Sequence, residues 1–227
     1  MLADTLSETL QHLENAAKAA HRPTPALLAV SKLQPASAAA ELARAGQRAF
    51  GENYVQEAQA KIGEMAGMDL DWARIGHLQS NKAELAAHLF DWVQTVDRHK
   101  LIGALSRYRP ADRAPLNVLV QVNIDDEASK HGCRPEEVAG LAEAIAAEPR
   151  LRLRGLMAIP APHPDTARRI DAFRRMQALQ DQLAAKHPGV DTLSMGMSDD
   201  YALAVAHGAT MVRIGTALFG ARPARTA

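Results

Sequence analysis

A chain of 227 residues fits one α/β barrel or two smaller domains. Its 26 basic residues balance 26 acidic ones, so it lacks the electrostatic footprint of a protein that binds nucleic acid or an anionic membrane surface. Apolar residues make up 47% and aromatics only 4%, which predicts an ample core built from aliphatic side chains, and the single cysteine, Cys133, cannot form an intramolecular disulfide and points to a reducing, cytoplasmic setting.

The chain opens with Leu2, Leu6, Leu10 and Leu13 at helical spacing, which predicts an amphipathic helix. Asp4 and Glu8 within it argue against a signal peptide, and no apolar run approaches membrane-spanning length. "ALLAVS" (26–31) reads as a short buried strand, and "ASAAAELARAG" after it as a helix stopped by Gly46. "QRAFGEN" (47–53) predicts a strand that runs into a glycine turn, with a helix over 54–66. The rhythm repeats in "DLDWARIG" (69–76) with a helix over 80–89, and in "DWVQTVD" (91–97) with a helix over 98–107. "RYRPADRAP" (107–115) is a loop, and "LNVLVQVN" (116–123) is the clearest strand in the chain. The next helix has Pro135 just inside its start and Val138, Leu141 and Ile145 on one face. "LRLRGLMAI" (151–159) is a strand, and 165–186 a helix with Ile170, Phe173, Met176 and Leu183 as its buried stripe. "TLSMG" (192–196), the helix "SDDYALAVAHG" ending at Gly208, and "TMVRIG" (210–215) complete the series.

Strands that alternate with helices imply parallel, right-handed crossovers, and roughly eight of them imply a closed (β/α)8 TIM barrel of the α/β class. An open doubly wound sheet would carry a glycine-rich turn after its first strand, whereas the turn here, "SKLQP", has no glycine. The expected organisation is a single domain over 1–227, with a leading helix and linker at 1–24, the barrel over 25–220 and a tail at 221–227.

Function in a barrel gathers at the C-terminal ends of its strands. Those ends read Lys32, Asn53, His77, Asp97, Asn123 and Met157, then "SMGMS" (194–198) and "RIGT" (213–216). Barrels commonly bind phosphate between the last two loops. "GMSDD" places Ser198 where a helix N-cap belongs, and Gly215 and Thr216 add close backbone approach and a hydroxyl, together forming a cup for an anion. Asp199 and Asp200 in the same turn would repel an anion unless their side chains point away. Lys32 sits at the end of a dry strand, where burial favours the free amine, and an amine opposite a phosphate cup suits either a phosphorylated sugar or pyridoxal 5′-phosphate (PLP). Arg213 lies two residues before Gly215, so the pleat points both the same way. Beside a pyridine nitrogen, its guanidinium would donate a hydrogen bond and discourage protonation, weakening the ring as an electron sink. The nine histidines show no paired metal-ligand spacing, Cys133 has no partner base, and neither a GxSxG elbow nor a Walker loop is present.

"LLAVSKLQP", "FGENYVQEA", "IGHLQSNK", "VLVQVNIDDEASKHGC", "GLMAI", "MGMSDD" and "RIGTALFG", in this order from about residue 26 to 220, strongly resemble the pyridoxal phosphate homeostasis proteins. The resemblance implies PLP fold type III, like the N-terminal domain of alanine racemase, with an extra N-terminal helix. It implies PLP held on Lys32 as an aldimine, phosphate contacts from Ser198, Gly215 and Thr216, and Arg213 at the pyridine nitrogen. Asn53, His77 and Met195 fall at motif positions that would line the pocket. The family is thought to buffer or deliver PLP, with PLP-requiring apo-enzymes as acceptors, and has no firmly established reaction. Ala73 and Arg74 depart from the family's "WHFIG" pattern, Leu33 replaces a frequent Thr, and His131 a frequent Ser.

The competing reading is a PLP-dependent amino-acid racemase. A racemase of this fold takes a tyrosine from a partner's second domain, and this chain ends about ten residues after its last strand, so such a domain is not expected. Of Tyr54, Tyr108 and Tyr201, only Tyr54 follows a mouth turn, and packing is its expected role. A Schiff-base aldolase acting on sugar phosphates would be colourless. The protein is therefore expected to be a cytoplasmic, monomeric PLP carrier with no catalytic residue, no metal, no nucleic acid and no membrane partner.

Overall fold

The computed structural model of the protein describes residues 1–127 and 130–220. The expected tail at 221–227, and Ala128 and Ser129 within the "VNIDDEASK" stretch, lie outside the described residues. Eight strands follow one another round a closed barrel: β1 (Ala26–Val30), β2 (Ala49–Glu52), β3 (Asp71–Arg74), β4 (Trp92–Val96), β5 (Leu116–Val122), β6 (Leu151–Ala158), β7 (Thr192–Ser194) and β8 (Met211–Ile214). Every ladder is parallel, and β1 closes on β8 with Leu28 opposite Arg213. Each strand matches the sequence expectation to within two or three residues at either end.

The helices are α1 (Leu2–Ala19), α2 (Ala36–Arg44), α3 (Val55–Glu64), α4 (Ala83–Leu89), α5 (His99–Tyr108), α6 (Val138–Ala146), α7 (Thr166–Lys186), α8 (Tyr201–Ala206) and α9 (Thr216–Phe219). α9 was not anticipated and is a single turn. So short an element cannot cover the strand before it. α1 packs against α2, α8 and α9, and inserts Leu6, Leu13 and Ala17 into the main core at the place a full-length eighth helix would take.

The core has two layers because residues alternate across each strand. Outward-facing side chains, such as Phe50 and Trp72 with ring centroids 5.4 Å apart, join the helices in the large cluster. Inside, Leu28, Ala73, Ile75 and Met211 form a small apolar plug with Val30, Ala49 and Trp92 packed against it. Gly51 is a glycine because a Cβ there would come within 3.0 Å of Ile75 and 3.1 Å of Leu28.

The plug gives way to polarity towards the C-terminal ends. Ser194 donates to Gln94 at 2.7 Å, and Arg213 donates to the Ser194 hydroxyl at 2.8 Å and to the Ala158 carbonyl at 2.9 Å. All three side chains are buried. This layer is the floor of the mouth.

Candidate cofactor site at the barrel mouth

Above the floor lies a cavity of about 280 Å³. Lys32, Asn53, Ser198, Arg213, Gly215 and Thr216 all line it. Lys32 reaches it because Leu28 and Val30 face the lumen, and the two-residue period carries Lys32 to the same side one step further up. The same rule aligns Met211, Arg213 and Gly215 on β8 and the turn beyond it. A Cβ at Gly215 would approach the Val30 carbonyl oxygen to 3.2 Å and the Val30 Cβ to 3.3 Å, so the bare glycine keeps the wall between β8 and β1 close-packed. Burial lowers the Arg213 pKa to about 10, which still leaves the guanidinium charged at neutral pH.

Two expected site residues lie elsewhere. Met195 is fully buried in the outer core: Ser194 points into the lumen, so its neighbour must point out, and Met197 lines the cavity instead. His77 lines an adjoining cavity of about 260 Å³ with Gln121, Asn123, Lys130 and His131. The two cavities share Asn53, Ile75 and Ile159. His77 stacks on His131 with centroids 3.8 Å apart, and its Nδ1 lies 3.7 Å from an Asp97 carboxylate oxygen. Burial, reinforced by the neighbouring His131, lowers the His77 pKa.

Ser198 is not a helix N-cap. α8 begins at Tyr201, and Asp200 occupies the cap position. Asp200 turns its carboxylate back onto the Met197 N–H at 2.7 Å, while Asp199 stays at the cavity rim. One of the two acids that would repel an anion is thus engaged by the backbone. Tyr54 corrects a further expectation: it is exposed rather than packed, and does not line the Lys32 cavity. Cys133 is buried, and that burial pushes its thiol up to about 12, so it is no thiolate nucleophile.

The outer side of the same wall holds a cluster that sequence reasoning missed. Glu52 and Lys61 are both buried, and their side chains meet at 2.5 Å. Ser31 donates to the same Glu52 oxygen at 2.6 Å, and Lys61 donates to the Ser31 carbonyl at 2.7 Å. Burial outweighs the pairing with Lys61 and raises the Glu52 pKa. A signal was available: Glu52 shares its strand face with Phe50, and Lys61 continues the buried Val55–Ala58 stripe of α3. A charge of each sign on two apolar faces that pack together must pair.

Cations clasp strand-end carbonyls around much of the rim. Arg74 donates to the His77 carbonyl at 2.7 Å, Arg98 to Leu78 at 2.8 Å, Arg175 to Ile124 at 2.6 Å, and Lys130 to both Ile159 and Pro160 at 3.1 Å. A parallel strand that ends at a loop leaves carbonyls without ladder partners, and buried ones need a donor. Arg74, one of the two departures from the "WHFIG" pattern, takes up this role, with burial lowering its pKa to about 10.

With this geometry in place, the sequence matches the alanine racemase N-terminal domain family over residues 5–223. The fold agrees: alanine racemase from Corynebacterium glutamicum superposes with a TM-score of 0.69 at 21% identity, covering 99% of this chain and 63% of that one. Closer in sequence is the pyridoxal phosphate homeostasis protein of Haemophilus influenzae, 54% identical over 218 residues, 93% of this chain and 92% of that one. Its Escherichia coli K12 counterpart is 55% identical over 199 residues, 86% of this chain and 85% of that one. PipY of Synechococcus elongatus, in a structure with PLP bound, aligns with a TM-score of 0.84 at 35% identity, covering 97% of this chain and all of that one. The chain belongs to the pyridoxal phosphate homeostasis protein family.

Proposed function

We propose that this chain binds PLP at the barrel mouth and serves vitamin B6 homeostasis by storing or delivering it. The observation that carries this reading is the meeting of Lys32, Ser198, Gly215, Thr216 and Arg213 around one cavity. The donor set fits the group: an amine for an aldehyde, two hydroxyls and a glycine for a phosphate, and a fixed cation for a ring nitrogen. When bound, PLP supplies an aldehyde that condenses reversibly with a primary amine and releases water. Ser198 and Thr216 hold the phosphate, with Gly215 letting it approach the backbone. Arg213, fixed by Ser194 and the Ala158 carbonyl, keeps a positive charge beside the ring and disfavours its protonation. Asn53 lines both this cavity and the adjoining one that holds His77.

A carrier needs an amine that holds and releases the aldehyde, and no acid–base pair poised over it. The relatives at 54% and 55% identity are homeostasis proteins, which favours the carrier over the racemase reading. Acceptors would be PLP-requiring apo-enzymes, and the protein would act as a monomer in the cytoplasm. Among the described residues no helix is long and apolar enough to cross a membrane. The test is to incubate PLP-loaded protein with L- and D-amino acids in heavy water, following α-proton exchange, enantiomer ratio and PLP transfer to an apo-enzyme. Transfer with negligible exchange is expected. Racemisation or transamination at ordinary enzyme rates would overturn the carrier reading.

A further inference from the structure

α3 reaches behind the barrel wall and takes hold of the backbone on both sides of Lys32. On one side, Lys61 donates to the Ser31 carbonyl at 2.7 Å. On the other, Glu57 accepts the Leu33 N–H at 2.5 Å. The two gripping side chains are themselves joined at 3.3 Å, one helical turn apart. Glu52 completes the unit from β2 through Lys61 and the Ser31 hydroxyl. Leu33, which carries the second grip, adopts φ 61, a left-handed conformation that a leucine does not choose by itself. The turn closes through Gln34 N–H on the Ser31 carbonyl at 3.0 Å.

None of the gripping groups lines the Lys32 cavity. They act on the far face of the strand end, so they determine where Lys32 begins and in which direction it leaves the backbone. Strained backbone persists where its surroundings over-determine it, and Glu57 holds the strained residue directly.

We infer that Glu57 and Lys61 are positioning residues for Lys32: their grip on the 31–33 backbone aims its amine at the aldehyde of bound PLP. This rests on the PLP reading above. Misdirection of a reacting group by an ångström is enough to matter for bond formation, even where binding contacts survive. Glu57 is the residue to change, because it is a quarter exposed and its loss leaves the buried Glu52–Lys61 pair intact.

The experiment compares wild type, Glu57→Ala and Glu57→Gln by circular dichroism, PLP affinity, pH titration of the PLP absorbance band, and the fraction of bound PLP fixed to Lys32 by borohydride. Glu57→Ala is expected to stay folded, to lose about tenfold in PLP affinity, to shift the pH titration of the band, and to lower the trapped fraction. Glu57→Gln keeps an acceptor for Leu33 and should restore all three. If Glu57→Ala proves unfolded, Leu33→Gly is added to it, since glycine adopts the left-handed turn without strain; the folded double variant should show the same losses. Wild-type affinity, titration and trapping in a Glu57→Ala or double variant would overturn the inference, as would a double variant that does not fold, which would make the grip purely structural. Absence of label on Lys32 in the wild type would instead overturn the PLP reading on which the inference rests.

Discussion

Arg213 and Lys61 are buried cations on opposite faces of the barrel sheet, and each is 4% exposed. Lys61, outside, meets the carboxylates of Glu52 and Glu57 as well as the Ser31 carbonyl. Arg213, in the lumen, donates to a neutral hydroxyl and a neutral carbonyl. A cation matched by carboxylates is a closed unit, and its effect goes into the backbone it clasps. A cation whose hydrogen bonds all go to dipoles is fixed in place, and although the Asp200 carboxylate acts on Arg213 through space, its charge stays available to whatever enters the cavity. Burial of a charge therefore does not by itself mark a binding residue; Arg213 also lines the cavity, and Lys61 does not.

The largest expected effect breaks the outer unit. Lys61→Met leaves Glu52 buried without its cation, and should cost roughly 3–5 kcal/mol of stability. Arg213→Met removes two hydrogen bonds but also a desolvated charge, so denaturant unfolding of the PLP-free protein should show a loss of only about 1–2 kcal/mol. Equal losses for the two variants would erase the distinction between them.

The second prediction concerns binding without stability. Hydrogen bonds to a charged group contribute about 1.5–3 kcal/mol, so Ser198→Ala or Thr216→Val should weaken PLP affinity roughly ten- to a hundredfold. Unfolding of the PLP-free variants should stay within about 0.5 kcal/mol of wild type. Unchanged affinity in both would move the phosphate away from the β7–β8 mouth.

The smallest effect lies at the rim. The His77 pKa in the folded protein is below its ordinary 6.5, so the unfolded chain binds more protons and stability falls as pH drops from 6.5 through the folded value. His131→Ser removes the stacked neighbour that adds to the lowering by burial. It should raise the His77 pKa and flatten that loss, which imidazole resonances followed by NMR titration would show.

The order of strands and helices was legible because each strand is a short apolar run and most helices carry a periodic stripe. Lys32 was legible for the same reason: a charge continuing the lumen-facing alternation of Leu28 and Val30 has to emerge at the mouth. Met195 was misplaced because motif membership says nothing about parity, whereas its position after Ser194 does. Ser198 was misread as an N-cap because three successive polar residues compete for that role, and only the folded turn shows Asp200 taking the Met197 N–H. The clasping cations were invisible as a group. Arg74, Arg98, Lys130 and Arg175 read individually as surface charges, and their carbonyl partners are fixed by tertiary structure alone.

PLP is expected to attach to the amine of Lys32 and to no other lysine. The most direct test is borohydride reduction of the PLP-loaded protein followed by peptide mass mapping. A phosphopyridoxyl group is expected on the peptide that contains Lys32, together with loss of the reducible absorbance band in Lys32→Ala, with some PLP still retained through the phosphate contacts. Label on another lysine with none on Lys32 would contradict this attachment.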